Sequence, residues 1–241
     1  MTKFDCKWKN FGGIIVCLNL LIGPLVPTRL FCSNLGNGTL VSTAMIALER
    51  IESPEVFGNT SDDERERERA ANHLYRNGIK LYLAGKYWDC AQELIVLLDF
   101  YPQFEKIDGV IYYVAESLSE MEMNKPALKM LRYLLKTYPK SEYTSVALLG
   151  LQKIYFREKK YEEATHFYFS IIKNNYDAQI TDAARYYHGQ SNFYMKKWDN
   201  AILVLRRISN KSEYYGHALY TTALAMLKKK EFVQLSNILK A

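Results

Sequence analysis

At 241 residues, with 49% hydrophobic and 24% charged residues, the chain has the composition of an ordinary folded protein, long enough for one sizeable core or one extended array and too apolar for general disorder. Aromatics are 14% of it, with 19 Tyr against 12 Gly and 6 Pro, a balance that argues against turn-rich β-structure and for packed helices. The net charge of +6 divides into +3 in residues 1–33, where Lys3, Lys7, Lys9 and Arg29 face Asp5, and +3 spread over the rest, a dispersed field that does not suit a nucleic-acid reader.

In chain order, the first element is a leader, residues 1–33. A basic start is followed by an uncharged run, "FGGIIVCLNLLIGPLVP", and then by a small and polar stretch. This is the order of a secretory signal peptide. A retained N-terminal membrane anchor and a buried N-terminal element stay open beside it, although Asn19 and Gly23-Pro24 weaken a spanning helix of about 20 apolar residues. Three of the four cysteines, Cys6, Cys17 and Cys32, lie here, so Cys90 alone offers no disulfide framework and no cysteine zinc site. Cys32 is a candidate lipidation site, but Arg29-Leu30-Phe31 before it departs from the Leu-x-small pattern of bacterial lipoproteins.

Residues 34–60, rich in Gly, Ser and Asn, read as a linker. A helix is predicted to start at Ser61, which forms a capping box with Glu64, and the Glu/Arg run behind it neutralises itself at i,i+3 as a solvated face.

From Ala71 a repeat dominates. Cys90, Ala127, Ala164 and Ala201 follow one another at intervals of 37, and Leu235 comes 34 after the last. An aromatic residue, Tyr87, Tyr161, Trp198 or Phe232, stands three residues before most of these small ones, and apolar residues recur four and seven after them on one helix face, as Leu94 and Leu97, Leu131 and Leu134, Tyr168 and Ile171, Leu205 and Ile208. Pro102 and Pro139 stop the second helix. The unit is helix, turn, helix, stop, starting near 71, 108, 145, 182 and 216.

This resembles the tetratricopeptide repeat, with its W-x2-L-G-x2-Y, A-x3-F and P pattern in a unit of about 34 residues. Gly78 and Gly189 stand at its first small position, the four spaced residues at its second, and Tyr155 at its Tyr; the opening Trp is replaced by Leu74, Ile111, Leu148, Arg185 and Leu219. The resemblance implies an all-α fold, a right-handed α-α superhelix (solenoid) of about five helical hairpins over residues 61–241. The stretched unit with "YP" before the next hairpin is similar to the envelope tetratricopeptide proteins of Gram-negative bacteria, the BamD-like outer-membrane assembly lipoproteins and the Tol-Pal coordinator. That likeness implies export to the periplasm or association with the outer membrane, or else an inner-membrane anchor carrying a periplasmic solenoid.

No reaction is expected. His73, His166, His188 and His217 have no i,i+4 partner, no phosphate-cradling glycine loop is present, and neither a cofactor nor a metal is called for. Binding is expected instead. In tetratricopeptide arrays the first helix of each unit lines a concave groove, and the residue after the opening position points inward: here Tyr75, Tyr112, Leu149, Tyr186 and Tyr220. A second column holds Tyr82, Ser119, Phe156, Phe193 and Leu227, with Lys153 and Gln190 between. Tyr, with a rigid apolar face and a polar tip, suits an extended peptide or a subunit of an envelope complex. The same aromatics could instead pack neighbouring first helices together. The alternative function is an assembly subunit bound through convex faces and an uncapped C-terminal end, where Leu235, Ile238 and Leu239 would also serve self-association.

Overall fold

The computed structural model describes residues 42–43, 61–174 and 176–230, and the statements below concern these. The leader with Cys32, nearly all of the 34–60 linker, the side chain of Ser61, and residues 231–241 with the apolar end lie outside them. From residue 61 on, the described residues form nine helices and no strand: α1 Ser61–Leu83, α2 Tyr87–Phe100, α3 Ile107–Glu120, α4 Asn124–Thr137, α5 Thr144–Arg157, α6 Tyr161–Lys173, α7 Ala178–Tyr194, α8 Trp198–Leu205 and α9 Tyr215–Lys229. Each helix packs on the next, giving four complete hairpins and the first helix of another. The fold is an all-α helical repeat solenoid.

The turn inside each hairpin is built the same way. Gly85 lies at φ 71°, and Glu122, Lys159 and Lys196 at φ 60–61°. Each of these four donates its N–H three residues back, to Tyr82, Ser119, Phe156 and Phe193, and the following residue donates five back, to Leu81, Leu118, Tyr155 and Asn192. This is the Schellman motif, whose left-handed residue reverses the chain while covering the last free carbonyls of the first helix. The aromatic that opens α2, α6 and α8 follows two residues later.

Close approach of the two helices explains the small residues. Cys90, Ala127, Ala164 and Ala201 are fully buried. A Cβ at Gly78 would meet Leu94 at 2.3 Å, and one at Gly189 would meet Leu205 at 2.4 Å. Leu94, Leu131 and Leu205 are buried in register, each contributing about 1.5–3 kcal/mol by removal from water. Buried residues run as one cluster from Ala71 to Ile154 and continue in two smaller ones around Tyr168 and Leu205, so burial passes from hairpin to hairpin with no single centre.

The fourth hairpin departs from the expected helix face. Leu205 is the last residue of α8, and Ile208, though buried, lies in the turn beyond it. The cause is on α7. The buried Asp182 carboxylate accepts from the Ser209 N–H at 3.1 Å and pairs with Arg185 at 2.8 Å, while Arg185 donates to the Arg207 carbonyl at 3.2 Å. These side chains capture backbone groups that another helical turn would need. Arg185, the outlier at the opening position, thus has a structural task.

Candidate functional site

First helices touch along the array, α1 with α3, α3 with α5, α5 with α7 and α7 with α9, whereas among the described residues no second helix reaches the second helix of the next hairpin. The array is therefore tighter along its first helices, and these form its inner face.

Its aromatic residues are arranged in clusters that bridge hairpins. Tyr75 on α1 is 6% exposed, shares a hydrogen bond of 3.0 Å between its hydroxyl and that of Tyr143, and meets Phe104 and Tyr113 edge-on. Its ring is engaged in packing one first helix on the next. Tyr82 is half-buried and edge-on to Tyr87 and Tyr113 at 5.6 and 5.2 Å. Tyr112, also half-buried, stacks on Tyr143 with centroids 5.0 Å apart. Further along, Phe156 contacts Tyr161, Tyr187 and Tyr194. Tyr186 stacks on Tyr214 at 4.9 Å, and Phe193 meets Trp198 edge-on at 5.1 Å. Tyr220 on α9 is 66% exposed. Burial pushes the phenols of Tyr75, Tyr82, Tyr112 and Tyr186 above their ordinary range, so they stay un-ionised.

The polar candidates occupy the same face. Gln190 donates through Nε2 to Thr221 Oγ1 at 2.7 Å, linking α7 to α9. Lys153 stands 3.7 Å from Glu120, with both side chains partly exposed. Cys32 lies outside the described residues.

Column counting along the first helices missed several residues. Tyr113 and Tyr187 are second members of Tyr-Tyr pairs, and Tyr143 and Tyr214 come from the start of the following hairpin, each directly preceding a first helix. The signal was available: the pairs 112–113 and 186–187 stand two repeat intervals apart, and Lys-Ser-Glu-Tyr occurs at both 140–143 and 211–214. Glu116 is another. It is nine-tenths buried on α3, its Oε1 has no hydrogen-bond partner, and its pKa is raised, chiefly by burial.

Among the described residues no helix is long and apolar enough to cross a membrane. Nor do three or more His, Cys, Asp or Glu gather there as a metal would require.

Comparison with known proteins bears on the fold. The tetratricopeptide repeat model matches residues 110–141 and 183–212. Among solved structures, MamA of AMB-1, in a P212121 crystal, superposes with a TM-score of 0.55 at 16% identity, covering 70% of this chain and 88% of that one. A crystal structure of nearly identical TPR-like repeats of a putative kinesin light chain from Podosopora anserina gives 0.54 at 10% identity, covering 72% and 92%. No curated protein matches the chain. At these identities the likeness is one of fold. With the family model on two of its hairpins and solved structures superposing on 70–72% of it, the chain carries tetratricopeptide repeats in a helical solenoid.

Proposed function

We propose that the chain is a non-enzymatic adaptor that holds an extended segment of another protein against the aromatic inner face of its first helices. Tetratricopeptide repeats suggest a protein-protein interaction scaffold. The observation that supports the groove is the run of tyrosines along one face, with Tyr220 open and Tyr82, Tyr112 and Tyr186 half-buried. Half-buried tyrosines held by neighbouring rings present area to a ligand at little entropic cost.

The test is a screen of the full chain against an immobilised library of 12-residue peptides. Tyr112→Ala and Tyr186→Ala should weaken the selected peptides at least tenfold, as loss of aromatic anchors does, while far-UV circular dichroism stays helical. Unchanged binding in both variants would move recognition off the inner face. A second reading then takes over, an assembly subunit bound through outer surfaces, favoured by the exposed Phe100, Phe169 and Leu203 on second helices.

The site of action belongs to the same proposal. The order of charge and hydropathy in residues 1–33 supports export to a cell envelope, with membrane association through an anchor or through lipid on Cys32. Intact-mass measurement on protein from cells decides it. A start near residue 33, or an acylated Cys32, fits; an intact Met1 on freely soluble protein rejects it.

A further inference from the structure

Among the described residues several buried side-chain atoms of the first helices lack a hydrogen-bond partner, and one of them belongs to a carboxyl group. Glu116 lies on α3 and is only 5% exposed, yet its Oε1 accepts no hydrogen bond. It is seated against α5 at Gly150, where an added Cβ would come within 2.6 Å of Oε1; the carboxyl occupies the room a side chain there would fill. Glu120 follows four residues later, one turn on, hence on the same helix face.

The titratable and charged groups facing this place come from three helices. From α1 there is the Tyr82 phenol; from α3, the Tyr112 phenol and Glu120; from α5, Lys153 and Arg157. Lys153 reaches Glu120, loosely, at 3.7 Å. The Arg157 guanidinium is engaged with the Ser119 hydroxyl. Among the described residues no cation stands within ion-pair distance of Glu116. Glu116 and Glu120 therefore stand together with a single loosely held ammonium, which pairs with Glu120, and with the Tyr82 and Tyr112 phenols nearby.

We propose that the seam between α3 and α5 takes a basic side chain, Lys or Arg, of the bound segment, its cationic head seated against Glu116 and Glu120. The proposal rests on the groove reading given above and adds the chemistry of the occupant. An ionised carboxylate buried without a partner costs several kcal/mol, so burial favours the protonated form of Glu116 in the free protein and raises its pKa. An arriving ammonium or guanidinium supplies the missing partner, and Glu116 gives up its proton to solvent as the pair forms. Affinity for the basic segment should accordingly rise with pH. A Gln at position 116 keeps the size and the hydrogen-bonding capacity but removes the charge that the cation needs.

The probe is a library of randomised 12-residue peptides, selected against the full chain, against Glu116→Gln and against Tyr112→Ala. The expected result is enrichment of Lys or Arg at one position with wild type and its loss with Glu116→Gln. A selected basic peptide should bind Glu116→Gln at least tenfold more weakly than wild type. Its affinity for wild type should fall from pH 8 to pH 5, and this dependence should flatten in the variant. Enriched peptides without a basic residue, whose binding Tyr112→Ala abolishes, would overturn this inference and leave the groove reading standing. Basic peptides that bind Glu116→Gln as well as wild type would overturn it too. Failure to enrich any peptide would remove the groove reading and this inference together.

Discussion

The α3–α4 and α7–α8 hairpins are two versions of one design, separated by a single intervening hairpin, and the tetratricopeptide matches cover most of both. Tyr112, Tyr113 and Tyr143 in the first meet as Tyr186, Tyr187 and Tyr214 do in the second. The stacked pairs stand at 5.0 and 4.9 Å, and the edge-on contacts of Tyr113 with Tyr143 and of Tyr187 with Tyr214 at 5.8 and 6.1 Å. Asp108 and Asp182 both reach forward to the segment that precedes the next first helix. Where the two hairpins differ, the differences are chemical: Val114 against His188, Glu116 against Gln190, Ser119 against Phe193, Glu120 against Tyr194. The repeated residues stack the array. The unrepeated ones give each part of the inner face its own chemistry.

The strongest way to break this comparison is at the two aspartates. Asp182 is buried and carries both the Arg185 pair and the Ser209 N–H; in Asp182→Ala a cation and an amide lose their partner. A destabilisation of about 3 kcal/mol is expected. Asp108 is half-buried and accepts from the Ser141 hydroxyl at 2.6 Å and from the Gly109 N–H at 2.9 Å, groups that water can serve after removal. Asp108→Ala should cost about 1 kcal/mol. Urea unfolding of both variants measures the gap; equal losses would mean that Asp182 does not set the end of α8.

Acid should act on the two hairpins in opposite directions. His188 replaces Val114, stacks on Tyr168 with centroids 4.0 Å apart, and meets Asn192 Nδ2 through Nε2 at 3.1 Å. Burial, with a smaller push from Lys197, lowers its pKa to about 4 from the ordinary 6.5. The unfolded chain therefore takes up a proton as pH falls through 6.5, while the folded chain does not until about 4. Stability is present above 6.5 and lost on the way down, by about 2 kcal/mol at pH 5. Glu116 has the reverse sign. Burial raises its pKa, so the folded chain holds the proton more tightly than the unfolded one, and its contribution is fully present below the ordinary carboxylate range and lost as pH rises through the folded value. Between pH 7 and pH 5, His188→Val should lose less stability than wild type and Glu116→Gln more. Unfolding midpoints at the two pH values decide it, and parallel shifts in both variants would refute the assignment.

The same pair of hairpins shows what could be read from the chain beforehand. Spacing of 37 with small residues at the helix crossing is a direct consequence of two helices meeting at one place per unit, so the solenoid was legible from Cys90, Ala127, Ala164 and Ala201. The short α8 was not. Its end is set by Asp182 and Arg185 on the preceding helix, and no local pattern in "LRRISN" announces it. Tyr143 and Tyr214 escaped for a related reason: counting along one first helix omits whatever the next hairpin contributes to the same face. Glu116 escaped because a glutamate in a helix reads as solvated, and only the missing side chain of Gly150, on the next first helix, makes room to bury it. Tertiary contacts, which no column count along a single helix includes, decide which of the aromatic residues are open.

The smallest expected effect tests whether the turns are as equivalent as their geometry. Glu122 in one hairpin and Lys196 in the other both sit in the left-handed region, at φ 61° and 60°, where Gly85 already serves the first hairpin. A residue with a Cβ there costs about 1–2 kcal/mol of local strain, and glycine removes it while gaining conformational freedom in the unfolded chain. The two terms partly cancel, so Glu122→Gly and Lys196→Gly should each stabilise by about 0.5 kcal/mol, and Gly85→Ala should destabilise by about 1 kcal/mol. Equal gains in the urea midpoint would mean that these side chains contribute nothing beyond the turn. A loss at Lys196 alone would show that its charge, two residues past the end of α7, interacts with the helix dipole strongly enough to outweigh the strain, and the fourth hairpin would then hold its turn by charge where the second holds it by backbone geometry.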